Sequence, residues 1–355
     1  MTLEDLGYND ILEKFRIGQN LENFQAGRVT AEHKERYIIK TDNGEYEAEI
    51  TGNMRHTAKG RSDYPAVGDW VALSIHNSDY AIIHKIYPRK SVIERQAVGK
   101  FGEKQIIAAN IDYAFVIQAV DRDFNINRIE RYLTICYSAK VEPIIILSKT
   151  DLTDETELES LIAELRSRIK STQIIPISNL TKIGYNKLRV FLLKGKTYCF
   201  LGSSGAGKST LINNLIGKEI FKTDSISTST GKGRHTTNYR ELNILENGSI
   251  LIDNPGMREV GIADTSDGLE ITFDTIVRIS GDCKFADCTH VHEKGCAVKD
   301  AVEKGVIDRA SYENYLKMES EKRRFQASIA EKRKKDKAFG KLCKEGMKYR
   351  KQNKY

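Results

Sequence analysis

GSSGAGKSTL, residues Gly202 to Leu211, matches G-x-x-x-x-G-K-[ST] and begins past the middle of a 355-residue chain. Its glycines let the backbone curl until successive N–H groups face a phosphate chain, and the helix that follows adds its positive N-terminus. In this pattern the loop from Gly202 through Ser203, Ser204, Gly205, Ala206 and Gly207 to Thr210 cradles phosphates. Lys208 reaches the β- and γ-phosphates, and the Ser209 hydroxyl binds Mg²⁺. A glycine-rich turn without a ligand is the bland alternative. A strand-like run before the loop and an amphipathic run after it argue against that reading. The puzzle is order: SKTD, Ser148 to Asp151, which has the pattern of a base-reading loop, comes about fifty residues before the phosphate loop instead of after it.

Working outward, residues 106–252 alternate apolar strands with amphipathic helices. Ile111 to Val120, Val141 to Leu147, Gln173 to Ile177, Lys196 to Leu201 and Ser249 to Ile252 read as strands; Asn127 to Lys140 and Glu155 to Lys170 read as helices, the first with Asn127 and Glu130 as a capping box. Near-continuous apolar strands imply a parallel sheet covered on both faces, with ligands beyond the strand C-termini. Upstream, RYIIKT, EYEAEIT, DWVALSI and YAIIHKIY are short strands separated by turn residues. They suggest a small closed barrel of the OB type, with an SH3-like barrel competing. The division that follows is an extension over 1–22, an OB-type β-barrel over 23–95, an α/β nucleotide domain over 96–268, and a zinc-binding helical domain with a basic tail over 269–355.

DNPG, from Asp253 to Gly256, closes the strand ILID and supplies a carboxylate for Mg²⁺ through water and a Gly256 N–H for the γ-phosphate. Between it and the phosphate loop, GKGRHTTNYR is polar and basic, the composition of a segment that a γ-phosphate orders. Thr236 or Thr237 is its candidate Mg²⁺ hydroxyl, with Thr236 preferred. SKTD is similar to the guanine-reading [NT]-K-x-D: the Asp151 carboxylate accepts two hydrogen bonds that adenine cannot offer, and the Lys149 stem packs on the base. Ser148 stands where Asn is usual. The next strand ends at Ser178, where a short loop supports the guanine oxygen. Base loop, phosphate loop, switch segment, then DNPG is the order of a circularly permuted GTPase, a rearrangement tolerated because domain termini lie close together.

Cys283-x4-Cys288-x-His290-x5-Cys296 offers three thiolates and an imidazole, the ligand set of one closed, structural Zn²⁺, with His292 as the rival imidazole. Three reduced core cysteines are the alternative, disfavoured by the polar residues among them. From Glu321 to Tyr355 there are fourteen Lys and Arg against four Asp and Glu, in a chain of net charge +7. This tail reads as a solvated helix or as an element that binds phosphates. The polar start MTLEDLGYND lacks a signal peptide's basic flank and apolar run, and no apolar run approaches a bilayer span. The expectation is a cytoplasmic protein that is monomeric and makes no membrane contact.

FNINRIERYL, SKTD, GSSGAGKST, GKGRHTT, DNPG and CKFADCTHVHEKGCAV, behind a small barrel, resemble the RsgA family of circularly permuted GTPases, over roughly Asn23 to Ser320. Departures are Ser148 for Asn, Asn254 where Thr is commoner and Lys294 where Pro is usual. The resemblance implies GTP hydrolysis to GDP, the maturing small ribosomal subunit and its rRNA as partners, and release after hydrolysis. Met257 follows the DNPG glycine and cannot orient water, so His235 is the candidate that does, in agreement with the family's GRHTT string. A loop histidine that merely holds RNA or protein is the alternative role. The rival function is an RNA-binding module whose nucleotide is only a conformational ligand.

Overall fold

In the computed structural model the described residues are 1–33, 36–96, 104–217, 241–253 and 266–327. The first strands are β1 (Gln25–His33), β2 (Arg36–Lys40), β3 (Glu45–Ile50), β4 (Trp70–Ile75) and β5 (Tyr80–Ile86). They pair in the order β1-β2-β3-β5-β4, and β4 returns to β1, so the sheet closes into a barrel. The β3–β5 pair is parallel while the others are antiparallel. The parallel β3–β5 pair within this closed order decides for the OB type over the SH3-like alternative. Alternate residues of the strands, among them Val29, Tyr37, Ile39, Leu73 and Ile83, fill the interior.

Ahead of the barrel, α1 (Asp10–Gly18) starts where the Asn9 side chain accepts from the N–H groups of Ile11 and Leu12. Leu6, Leu12 and Leu21 pack on Trp70, Ala72 and Tyr87 of the barrel's outer face. A short α2 (Gly52–Thr57) follows β3. Next come an antiparallel pair, β6 (Val92–Gln96) with β7 (Lys104–Ala109), which the strand reading of the sequence did not include.

From here the chain builds a doubly covered sheet: β8 (Tyr113–Ala119), α3 (Ile126–Ser138), β9 (Glu142–Ser148), α4 (Glu155–Arg168), β10 (Gln173–Pro176), α5 (Tyr185–Val190), β11 (Thr197–Gly202), α6 (Lys208–Ile216), β12 (Glu241–Ile244) and β13 (Ile250–Asp253). The order is β10-β9-β8-β11-β13-β12, with the first five strands parallel and β12 antiparallel. The two faces carry separate apolar clusters. One includes Val116, Leu133, Cys136, Ile145 and Leu201, and the other Phe115, Ile146, Leu188, Phe200 and Leu211. Burial pushes the Cys136 and Cys199 thiols well above their usual range, so both are inert core residues.

The end of α3 differs from the sequence reading. Its cap is Asn125, whose side chain accepts from the Arg128 N–H at 3.1 Å. Asn127 and Glu130 instead hold other helices: Arg168 donates to Asn127 Oδ1 and to Glu130, both at 2.6 Å. Glu130, 1% exposed, also accepts from Asn314 Nδ2 and Ser311 Oγ in a helical stretch spanning 309–327. Burial pushes the Glu130 carboxyl up, and the Arg168 guanidinium opposes that shift.

The last unit contains α7 (Ser266–Thr272), α8 (Asp274–Ser280) and α9 (Ala297–Glu303) beside the 309–327 stretch. Leu269, Phe273, Ile276, Val298 and Met318 form its core. Helix α7 crosses α3 at Gly268, where a Cβ would come within 2.1 Å of the Thr134 carbonyl oxygen, so only glycine permits that approach.

A strand pairing and a buried charge join the barrel to the sheet. Strand β12 pairs with β1 at Ala31 and Glu241, which makes one continuous eleven-stranded sheet. Beside it, Arg28 is 1% exposed and donates to Leu6 O (2.6 Å), Gly68 O (3.2 Å), Asn110 O (3.3 Å) and Thr197 Oγ1 (2.9 Å). One guanidinium thus ties the N-terminal segment, the barrel, the β7 end and the β11 start. Burial lowers its pKa to about 10, far enough above neutrality for it to stay charged. Arg28→Met, which keeps the bulk but strands buried acceptors, is expected to cost about 3 kcal/mol. The check is a lower urea midpoint; an unchanged midpoint would mean that Arg28 ties nothing.

Candidate nucleotide and metal sites

Parallel pairing of β9, β8, β11 and β13 brings the loops after all four strands to one edge of the sheet. Strand β11 lies in the middle, with β8 and β13 on either side. At its end Gly202 has φ 153°, and a Cβ there would come within 2.3 Å of the Ile117 carbonyl oxygen on β8. The phosphate loop therefore leaves the sheet through a gap that admits no side chain. Gly205 (φ 76°) and Gly207 (φ 86°) take left-handed conformations that reverse the chain into α6. No side chain caps α6, so its first N–H groups face the loop. The Lys208 ammonium bends back over the loop to the carbonyl oxygens of Gly202, at 2.8 Å, and Ser203. Ser209 and Thr210 occupy the first turn of α6 beside it.

Strand β9 ends at Ser148, which is fully buried, and its hydroxyl donates to Ala206 O at 2.7 Å. Lys149 takes the left-handed region at φ 62°, and its ammonium meets Asp121 at 2.8 Å. The exposed Asp151 carboxylate accepts from the Ser178 hydroxyl. Ser178 in turn accepts the N–H groups of Leu180 (3.2 Å) and Thr181 (3.1 Å), closing the loop after β10. The structure thus brings together Ser148, Lys149, Asp151, Ser178 and the 202–210 loop. Asp253 ends β13, next to β11. Gly256, His235, Thr236 and Thr237 lie outside the described residues, as does the tail beyond residue 327.

Two side chains at this edge escaped the sequence reading. Asp123, after β8, accepts from Ser203 Oγ at 3.0 Å and from Arg128 at 2.6 Å. Asn179 donates to Gly207 O at 2.9 Å. Neither falls in a recognisable string, and the only available signal was their place three or four residues past a strand end.

In the last unit Cys283, Cys288, His290 and Cys296 present ligand atoms that all lie within 4.8 Å of one another. His290 Nδ1 is 3.6 Å from Cys283 Sγ and 3.5 Å from Cys296 Sγ, and those sulfurs are 3.9 Å apart. Tetrahedral zinc with ordinary bond lengths requires about 3.5 Å between nitrogen and sulfur and about 3.8 Å between sulfurs. The four side chains fit one structural Zn²⁺. His292 is exposed and outside the cluster, which settles the imidazole as His290. The Glu293 carboxylate shapes this loop: it accepts from Thr289 Oγ1 and from the N–H groups of Thr289, Val291 and His292. Those bonds hold its pKa well below the usual carboxylate range. The Tyr312 hydroxyl donates to His290 O at 2.6 Å and so joins the loop to the 309–327 helix.

With this arrangement in place, comparison with known proteins is decisive. The model of the RsgA GTPase family matches residues 86–263. Small ribosomal subunit biogenesis GTPase RsgA 1 of Bacteroides thetaiotaomicron is 39% identical over 349 residues, covering 98% of this chain and 97% of that protein. The chain belongs to the RsgA GTPase family. The RsgA of Opitutus terrae is 38% identical over 332 residues, 90% of each chain. Among solved structures, YjeQ from Thermotoga maritima aligns at TM-score 0.62 and 26% identity, covering 83% of this chain and 96% of that one. YloQ, a circularly permuted GTPase, shares the fold at TM-score 0.58 and 22% identity over 88% and 96% of the two chains.

Two outcomes are expected for this chain. Cys288→Ser should abolish retention of one zinc per chain, read by a metallochromic dye after unfolding, and should lower the melting temperature; full retention would refute the ligand set. The second concerns pH. The Arg128 guanidinium, helped by Ser203, holds the Asp123 carboxyl below its usual range. A depressed folded pKa stabilises above the unfolded value of about 3.9 and is lost as pH falls through the folded one. The stability advantage over Asp123→Asn, from urea midpoints, should be constant above about pH 4 and vanish below it.

Proposed function

We propose that this chain hydrolyses GTP to GDP and phosphate as a late maturation factor of the small ribosomal subunit. It binds the subunit's rRNA and leaves after hydrolysis that the subunit stimulates. The observation that carries this reading is the convergence of the Ser148–Asp151 loop, the Ser178 loop and the Gly202–Thr210 loop on one sheet edge, in a member of the RsgA GTPase family.

In this reading Asp151 and the loop after Ser178 select guanine, and the 202–210 backbone, Lys208 and the α6 N-terminus hold the phosphates. Ser209, Thr236 and, through water, Asp253 would hold Mg²⁺, which would supply positive charge against the phosphates. Gly256 contributes an N–H to the γ-phosphate, and His235 orients the attacking water. The OB barrel at one end and the basic tail at the other supply the RNA-facing surfaces. The protein acts as a cytoplasmic monomer without membrane contact; no helix among the described residues is long and apolar enough to cross a membrane.

The test is hydrolysis of GTP and ATP by purified protein, alone and with small or large ribosomal subunits. GTP turnover should rise about 10³-fold or more with small subunits only, the range that partner-supplied stabilisation reaches elsewhere. Tight binding of GTP and RNA without stimulation would instead favour a module in which the nucleotide serves only as a conformational ligand. His235→Ala should lower stimulated turnover and leave GTP affinity nearly unchanged; an equal loss of binding would remove His235 from the hydrolytic step.

A further inference from the structure

At Ser148 the guanine loop lacks the carboxamide usual at that position, and the shorter hydroxyl spends its single proton on Ala206 O. A carboxamide nevertheless stands beside it, delivered by the loop after β10. Asn179 there donates from Nδ2 to Gly207 O at 2.9 Å. The two groups crowd one face of the phosphate loop: a Cβ on Gly207 would lie 2.7 Å from Asn179 Nδ2 and 4.0 Å from Ser148 Oγ.

The orientation of the Asn179 amide follows from its neighbours. Asn214 Nδ2 on α6 donates to the Tyr185 hydroxyl at 2.8 Å, so the single phenol proton is free to go to Asn179 Oδ1, also at 2.8 Å. With Oδ1 committed as acceptor, Nδ2 faces Gly207. Asn214 also donates to Asn179 O at 3.3 Å. Tyr185 is buried, and burial raises its pKa, so the phenol stays a donor. The base loop, the phosphate loop and α6 are thereby tied by one chain of hydrogen bonds.

We propose that Asn179 is a positioning residue that takes over the missing carboxamide of Ser148 and sets the phosphate loop for nucleotide. A planar trans peptide places each N–H opposite the preceding carbonyl. Gly207 O also takes the first bond of α6, from the Leu211 N–H at 2.9 Å. With Ala206 O held by Ser148 and Gly207 O held by both α6 and Asn179, the N–H groups of Gly207 and Lys208 are kept on the opposite side of their peptides. Asn179 acts on the phosphate grip shared by GDP and GTP, whereas the choice of base rests with Asp151. This inference rests on the reading of Ser148–Asp151 as the guanine loop, and the experiment separates the two.

Release of a fluorescent GDP analogue is measured by stopped flow, together with guanine-over-xanthine preference and the melting temperature of the nucleotide-free protein. Asn179→Ala should speed release about tenfold, with base preference unchanged and the melting temperature lowered by only a few degrees. Ser148→Asn alone should also speed release, because the longer side chain collides with Asn179. Ser148→Asn combined with Asn179→Ala should restore release to within about threefold of the native rate, an opposite-signed coupling that a merely structural loop contact would not produce. Tyr185→Phe, which frees the amide to turn, gives a second route if Asn179→Ala folds poorly, and should speed release about threefold. Asp151→Asn should move preference to xanthine whatever happens at Asn179; if it does not, the guanine-loop reading fails. If it does, while release from Asn179→Ala is unchanged or Ser148→Asn fails to restore it, the exchange between the two positions is refuted.

Discussion

Gly202 and the Ile117 carbonyl lie too close for any side chain between them, and the site depends on that approach. Parallel ladders hold β11 between β8 and β13, so that the phosphate loop must leave the sheet beside the Ile117 carbonyl oxygen, in a space where even a methyl group would collide. Given that exit, the left-handed glycines turn the chain into α6, Lys208 can fold back over its own loop, and the loops after β8 and β9 come within hydrogen-bonding reach. None of these contacts requires that the strands follow one another in a particular chain order. A permuted sequence can therefore build the same edge.

Attachment of the outer units follows from the same sheet. Helix α3 begins just past Asp123, which meets the phosphate loop through Ser203, and its Glu130 and Arg131 bind the 309–327 helix through Asn314, Ser311 and Glu321. One helix thus touches the phosphate loop's partner at its start and the zinc-bearing unit along its side. On the other flank Arg28 gathers four acceptors from separate segments around one charge. Such a buried cation is stable only because its donors are taken up by oxygens fixed in the backbone or in β11.

How far these features can be read from sequence follows from the range of the interactions that produce them. The individual strands and helices of the α/β alternation, the phosphate loop, SKTD and the cysteine spacing are local patterns, and each was visible in a window of twenty residues or fewer. The capping of α3 was misread because Asn125 and Asn127 are both good caps, and Asn127 and Glu130 were recruited by Arg168, a residue on another helix. Asn179 and Asp123 were invisible because their partners, Gly207 and Ser203, lie 28 and 80 residues away. Barrel closure was similarly hidden: alternation identifies strands, but the parallel β3–β5 pair that separates an OB barrel from its competitor is a long-range pairing.

The strand order also governs what the ribosome must release first when it makes this protein. Strands β8, β9 and β10 emerge together and can pair, but the other edge of β8 has to wait for β11, whose first residue is 84 positions after that of β8. In that interval an apolar strand presents unpaired N–H and C=O groups, the kind of edge that recruits foreign strands. The Ser148–Asp151 side of this edge is therefore synthesised ahead of the 202–210 loop, with its sheet edge open. Synthesis of β11 covers that edge and leads directly into the 202–210 loop, and the open edge then passes to the far side of β11 until β13 follows.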